Sequence, residues 1–128
     1  MKIVTLQVGP IGTNCYILCD EEAAVCAVID PGDEPRRIAA AIAGTGCTPE
    51  MILLTHGHFD HYTGVGGLLE LYPALPVYIH RADTADKPGG ELLFPHLGEK
   101  NQRYSQEGDQ LPLGGLTVRV METPGHSK

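Results

Sequence analysis

The sequence predicts an α/β fold in which a helix connects two neighbouring strands of one sheet. Three runs of strand length open the chain, separated by turn residues. The third run, residues 23–29, is followed by a helical pattern and then by the apolar run 51–54. A helix between two strands is the usual connection of a parallel pair, so we expect these two strands side by side.

The first two strands are predicted over residues 2–8 and 13–19, and the short turn between them favours their pairing with each other. Asp20-Glu21-Glu22 is the next turn. Asp30-Pro31-Gly32 then ends the third strand, because proline and glycine interrupt a sheet ladder.

Asp33-Glu34-Pro35 predicts a helix start, with acid in the first turn and proline where its missing N–H costs nothing. Ile38, Ala41 and Ile42 share one face of this helix, which ends at 44–46. A second helix is predicted from Gly64 to about Tyr72. Its three glycines indicate either tight helix packing or close approach to the preceding loop.

The later part of the chain predicts a short strand at 77–79 and a hairpin at 111–120 with its turn at Gly114-Gly115. Residues 81–108 between them are polar and carry little periodicity. A connection of that length is expected to be a functional lid or a linker.

The strongest chemical signal is the group His56, His58, Asp60 and His61, directly after the strand 51–54. In an extended chain His56 and His58 can project the same way and share one metal. Asp60 and His61 follow as the chain turns, which indicates a neighbouring second position. Ligand sites of α/β sheets concentrate at this carboxyl edge of the strands.

His126 follows the last predicted strand and is a candidate third ligand, or else an ordinary turn residue. Imidazole and carboxylate donors suit zinc, with iron or manganese as possible substitutes. His80 and His96 have no ligand spacing around them, so we expect them to be solvated or to support ligands indirectly.

Composition narrows the class of protein. A length of 128 residues predicts a single domain over 1–128, and the formal charge of −7 argues against nucleic acid as a partner. The N-terminal residues lack the apolar core of a secretory signal and no run has membrane-span length, which predicts a cytoplasmic protein without a membrane partner. The four cysteines are expected to be buried free thiols.

Several stretches, in order along the chain, resemble the metallo-β-lactamase-fold hydrolases, and within them the glyoxalase II-like (hydroxyacylglutathione hydrolase-like) branch. These stretches are Val8-Gly9-Pro10, Thr13-Asn14-Cys15-Tyr16, Val28-Ile29-Asp30-Pro31-Gly32, Leu53-Leu54-Thr55-His56-Gly57-His58-Phe59-Asp60-His61, Glu107-Gly108-Asp109 and Thr123-Pro124-Gly125-His126-Ser127.

The resemblance implies an αβ/βα sandwich and a zinc-dependent hydrolase acting on small thioester or ester substrates through a metal-activated water. It implies that His56, His58 and His126 hold a first metal. Asp60 and His61 would contribute to a second, with Asp60 also orienting the water and Asp30 bracing the metal loop. Arg81, Lys87, Lys100 and Arg103 are candidates for a substrate carboxylate, or else solvated surface charges.

The sequence stops at Lys128, whereas the resemblance implies further strands with an aspartate bridging both metals and a last histidine. We therefore expect the N-terminal half of the sandwich plus the start of the second half, with the second metal site weak or empty. The chain is then a truncated domain or a piece of a longer product. The alternative function is a catalytically inactive metal-binding fragment or scaffold.

The apolar strands 23–29 and 51–54 require cover on both faces of their sheet. With the second half mostly missing, we expect an exposed apolar face and self-association of copies through it.

Overall fold

The computed structural model describes residues 1–10, 12–55, 64–79, 101–105 and 108–119. The described elements are eight strands and two helices: β1 (Lys2–Val8), β2 (Thr13–Asp20), β3 (Val25–Ile29), α1 (Pro35–Thr45), β4 (Thr48–Leu53), α2 (Val65–Leu71), β5 (Val77–Ile79), β6 (Gln102–Tyr104), β7 (Gln110–Leu113) and β8 (Leu116–Arg119). Neither described helix is long and apolar enough to cross a bilayer.

The main sheet has six strands in the order β1-β2-β3-β4-β5-β6. The first three strands are antiparallel neighbours, whereas β4, β5 and β6 each join in parallel. The predicted pairing of the first two strands and the predicted parallel pair across α1 are both confirmed. Because β3, β4 and β5 run the same way, their carboxyl ends lie along one edge of the sheet.

One face of the sheet packs against the two helices and forms the larger core. Ile38 and Ile42 of α1 and Leu68 of α2 are fully buried there, as the helical spacing predicts. The alternate residues of the strands complete this core, including Ile17, Val28, Ile52, Val77 and Ile79. Both described helices therefore pack on the same side of the sheet.

The opposite face of the sheet is covered by the predicted hairpin, which forms β7 and β8. Leu113 is fully buried against Ala27 and Met51, whereas Leu53 and Tyr78 of the same face stay half-buried. The described residues thus form a six-stranded sheet and a separate two-stranded sheet.

Asp20, at the end of β2, attaches this hairpin to the main sheet. Its carboxylate accepts hydrogen bonds from the backbone N–H groups of Gly115 at 2.7 Å, Glu22 at 3.1 Å and Ala23 at 3.3 Å. The Gly115 bond, and after it the Ala23 bond, hold the pKa of Asp20 below its ordinary value of 3.8. One side chain therefore joins the turn after β2 to the hairpin about a hundred residues later.

Several details differ from the sequence prediction, and one of them is that β4 begins at Thr48 rather than at residue 51. The strand β3 begins at Val25 rather than residue 23, because Ala24 adopts a left-handed turn conformation with φ 57°. The first turn of α1 holds no acidic residue, since Asp33 and Glu34 precede the helix. The segment 81–108 contains strand β6, which the weak local pattern did not indicate.

All four cysteines are buried free thiols, as predicted. Burial, followed by the charges of Cys19, Cys47 and Glu50, raises the pKa of Cys26 to about 12. Cys19 lies directly opposite Cys26 on the neighbouring strand, and burial raises its pKa as well. These thiols therefore act as small apolar core groups near neutral pH.

Candidate metal centre

The carboxyl ends of β3 and β4 lie side by side, directly before the histidine-rich segment. Ile29 pairs with Leu53, and the next residue, Asp30, donates its backbone N–H to the Leu53 carbonyl at 2.9 Å. On the other side Leu54 donates to the Tyr78 carbonyl at 2.9 Å. The chain that enters residues 56–61 is therefore held by strands on both sides.

The carboxylate of Asp30 fixes Thr55, the residue that directly precedes His56. Asp30 is only 4% exposed, and its Oδ1 accepts the Thr55 backbone N–H at 2.7 Å. Its Oδ2 accepts a second hydrogen bond from the Thr55 hydroxyl. A buried carboxylate that receives a backbone N–H and a hydroxyl from one residue restricts both the position and the orientation of that residue.

The turn that carries Asp30 is itself constrained. Asp30 and Glu34 both adopt left-handed backbone conformations, with φ 54° and 53°, which non-glycine residues rarely do. Gly32 donates its N–H to the Asp30 carbonyl at 2.8 Å, and Glu34 Oε2 accepts the Gly9 N–H at 2.9 Å. We call residues 30–34 the β3 turn; such strained and bonded turns are concentrated at functional sites.

The β3 turn also binds the chain where it leaves the histidine-rich segment. Gly64 donates its backbone N–H to the Pro31 carbonyl at 2.8 Å, and its own carbonyl accepts the Leu68 N–H at 3.1 Å as α2 begins. The sequence prediction did not contain this bond. For Asp30 it contained only the expectation, implied by the resemblance, that this residue braces the metal loop. The glycine at 64 was the only local signal, and it was equally compatible with simple helix packing.

Cys15 lies on the core side of β2, near this turn. Burial, followed by the nearby Asp30 carboxylate, raises the pKa of its thiol to about 12. A thiol with that pKa is protonated near neutral pH, which makes Cys15 a poor nucleophile.

The predicted ligands lie outside the described residues. They are His56, His58, Asp60, His61 and His126. The other candidates His80, His96, Arg81, Lys87 and Lys100 also lie outside, whereas Arg103 is an exposed residue of β6. Within the described ranges, no group of three or more His, Cys, Asp or Glu side chains could hold a metal. The predicted ligand set therefore stays a prediction, although its imidazole and carboxylate donors are chemically suited to zinc or iron.

Comparison with known proteins agrees with this organisation. The family model of the metallo-beta-lactamase superfamily matches residues 8–128. A probable metallo-hydrolase, YqgX, of Bacillus subtilis is 36% identical over 134 residues, covering 99% of this chain and 62% of the relative. The hydroxyacylglutathione hydrolase GloC of Haemophilus influenzae is 32% identical over 141 residues, covering 99% and 63%.

A solved structure shows the same fold. The crystal structure of TTHA1623 in a di-iron-bound form has a TM-score of 0.65 and 35% identity, covering 84% of this chain and 56% of that one. The chain spans about 62% of the length of the first curated relative it matches. The predicted fold class and the resemblance are confirmed: this chain belongs to the metallo-beta-lactamase superfamily.

Proposed function

We propose that this chain carries the principal metal-binding segment of a hydrolase that cleaves thioesters of the hydroxyacyl-glutathione kind. The observation that carries the proposal is the buried Asp30 carboxylate, which holds Thr55 at the carboxyl edge of the sheet immediately before His56. The similarity to a hydroxyacylglutathione hydrolase at 32% identity supports the substrate class.

In this proposal His56, His58 and His126 hold one metal, while Asp60 and His61 contribute to a second and weaker site. A bound zinc, or iron or manganese in its place, would supply an activated water near neutral pH and polarise the thioester carbonyl. Asp60 would accept a hydrogen bond from the attacking water and orient it. Asp30 and Thr55 keep the start of the ligand segment in place, which is how outer partners adjust ligand geometry.

The first test is hydrolysis of a hydroxyacyl-glutathione thioester by the chain supplied with zinc, iron or manganese. We expect turnover, and we expect a chelator to abolish it. The His58→Ala variant should lose both the turnover and most of the bound metal. Turnover that persists in chelator, or a His58→Ala variant that binds metal like the parent, would contradict the proposal.

The second candidate function is a metal-binding fragment or scaffold without catalytic activity. Elemental analysis beside the activity assay separates the two functions, because bound metal without turnover favours the scaffold. Two metals per isolated chain would contradict the expectation that the second site is weak.

We also propose a cytoplasmic location. It is supported by the four buried free thiols, since reducing compartments keep cysteines unpaired.

A further inference from the structure

We propose that Gly64 is a positioning residue for the metal ligands, because only glycine at this position lets the β3 turn bind both ends of the histidine-rich segment. The inference rests on the proposed function, since the ligands to be positioned are those of the proposed metal. It adds a residue outside the predicted ligand set.

One turn holds both ends of the segment. The entering residue, Thr55, is bonded to the Asp30 carboxylate, and the leaving residue, Gly64, donates its N–H to the Pro31 carbonyl at 2.8 Å. The eight residues between them include all four clustered ligand candidates. Two adjacent residues of the turn therefore set the distance that this segment has to span.

Space, rather than backbone conformation, is what requires glycine at position 64. Its φ of −81° and ψ of −6° are open to any residue. A Cβ atom there would lie 2.7 Å from the Pro31 carbonyl oxygen and 3.3 Å from that of Asp33. Both atoms belong to the backbone, so no side-chain rotation can relieve the overlap.

The β3 turn cannot easily move away from such a Cβ atom, because hydrogen bonds hold both of its ends. Its first residue is bonded to β4 through the Leu53 carbonyl, and its last, Glu34, is bonded to the Gly9 N–H. The Arg37 guanidinium also donates to the Gln7 carbonyl at 2.5 Å, which ties the start of α1 to β1. An alanine at position 64 would therefore displace the leaving end of the ligand segment rather than the turn.

The competing explanation is that glycine at position 64 serves only the packing of helix α2. Substitutions of the neighbouring glycines can distinguish this explanation from positioning of the ligands. Gly67 packs α2 against α1, because a Cβ there would lie 2.4 Å from Cγ of Pro35. Gly66 is exposed and has no atom within 4 Å of the position its Cβ would take. Gly67→Ala therefore tests packing between the two helices. Gly66→Ala is the control, because its added Cβ atom would contact nothing in the described part of the chain.

The test uses Gly64→Ala, Gly66→Ala and Gly67→Ala in the 128-residue chain, with Co²⁺ as a spectroscopic probe. We expect Gly64→Ala to weaken Co²⁺ binding about 10- to 100-fold and to change the visible absorption of the bound ion. Gly66→Ala should match the parent in affinity and spectrum. Gly67→Ala should lower the unfolding temperature while retaining the parent's spectrum.

Hydrogen exchange of the metal-free chain supplies a second readout. Gly64→Ala should accelerate exchange of the amide at position 64 and leave the Thr55 amide protected, because only the first bond is lost. A Gly64→Ala variant with the parent's affinity and spectrum would overturn the inference alone. Equal losses of affinity in the Gly64→Ala and Gly67→Ala variants would assign the effect to packing. A parent chain that binds no Co²⁺ would overturn the proposed function as well.

Discussion

At the scale of single residues, two buried aspartates hold distant parts of the chain together. Asp30 joins the β3 turn to the end of β4, and Asp20 joins the turn after β2 to the β7–β8 hairpin. Both receive backbone N–H groups, which are satisfied only while the carboxylates keep their positions. Removing either side chain therefore removes these charge-assisted hydrogen bonds between segments that are distant in the sequence.

We expect Asp30→Ala to lower the free energy of unfolding by about 1.5 to 3 kcal/mol, the usual range for a lost hydrogen bond to a charged group. Asp30→Asn is the matched control, because it keeps the shape, an acceptor for the Thr55 N–H and tolerance of the left-handed backbone. Urea unfolding measures both variants. An alanine variant as stable as the parent would show that the hydrogen bonds of Asp30 do not stabilise the fold.

We expect the folded chain to lose stability in acid because of the hydrogen bonds that Asp20 accepts. Its pKa is lowered in the folded chain by the Gly115 and Ala23 N–H groups, so folding favours the ionised form. The stabilisation is complete above the ordinary value of 3.8 and is lost as the pH falls through the lower folded value. The unfolding midpoint in urea, measured against pH, should therefore fall more steeply below pH 3.8 in the parent than in Asp20→Asn. Identical pH profiles would contradict this assignment.

At the scale of elements, the sequence predicted those that have a strong periodic pattern. The apolar face of α1 repeats with the helical period and the residues of β8 alternate with the strand period. Each pattern was therefore sufficient to predict its element. Strand β6 was missed because its stability comes from distant contacts. The Asn101 side chain donates to the carbonyls of Pro73 at 2.9 Å and Leu75 at 2.8 Å, and the Asn101 carbonyl accepts the Val77 N–H at 2.7 Å.

The candidate site shows the same limit. The spacing of His56, His58 and His61 indicates metal chemistry, because donor type and order are local properties of a sequence. The bond between Gly64 and Pro31 joins residues 33 positions apart and leaves no local pattern. Contacts of this kind become visible only once the sheet has placed the two segments together.

The docking of the β7–β8 hairpin can be tested at its turn. Gly114 has φ 59°, and a Cβ there would lie 2.6 Å from both the Asp20 Oδ2 and the Ala23 Cβ. Gly12 has a similar φ of 66° but no atom within 4 Å. We expect Gly12→Ala to cost about 1 to 2 kcal/mol of stability for its backbone conformation. Gly114→Ala should cost about 1 to 3 kcal/mol more, for the overlap.

Thermal and urea unfolding of both glycine variants measure this difference. Equal losses would mean that the hairpin moves away from Asp20 without cost. The Gly115 amide, followed by hydrogen exchange, should lose protection in Gly114→Ala and keep it in Gly12→Ala.

At the scale of the whole molecule, the two faces of the main sheet are covered unequally in the described residues. The helices bury one face, while the hairpin lies over the other and leaves Leu18, Leu53 and Tyr78 half-buried. Ile3, opposite Leu18 on the edge strand, is 55% exposed. An apolar surface of this kind favours association.

Self-association through this face stays a prediction, which light scattering over a concentration series can check. We expect the mass of the isolated chain to rise with concentration and Ile3→Lys to reduce the rise. Leu71→Lys is the matched control, since Leu71 is 53% exposed but lies on the helix side. A parent that stays monomeric at high concentration, or equal effects of both lysines, would contradict association through the sheet face.

The six strands of the main sheet occur in space in the same order as along the chain. During translation each strand after β1 therefore meets a partner that the ribosome has already released, and β1 to β3 can assemble before the segment with the metal ligands has emerged. The β3 turn is therefore synthesised before the histidines, whereas β5 and the bond from Gly64 are added after them. A nascent chain thus presents its histidines to a support of which only the β3 side is already in place.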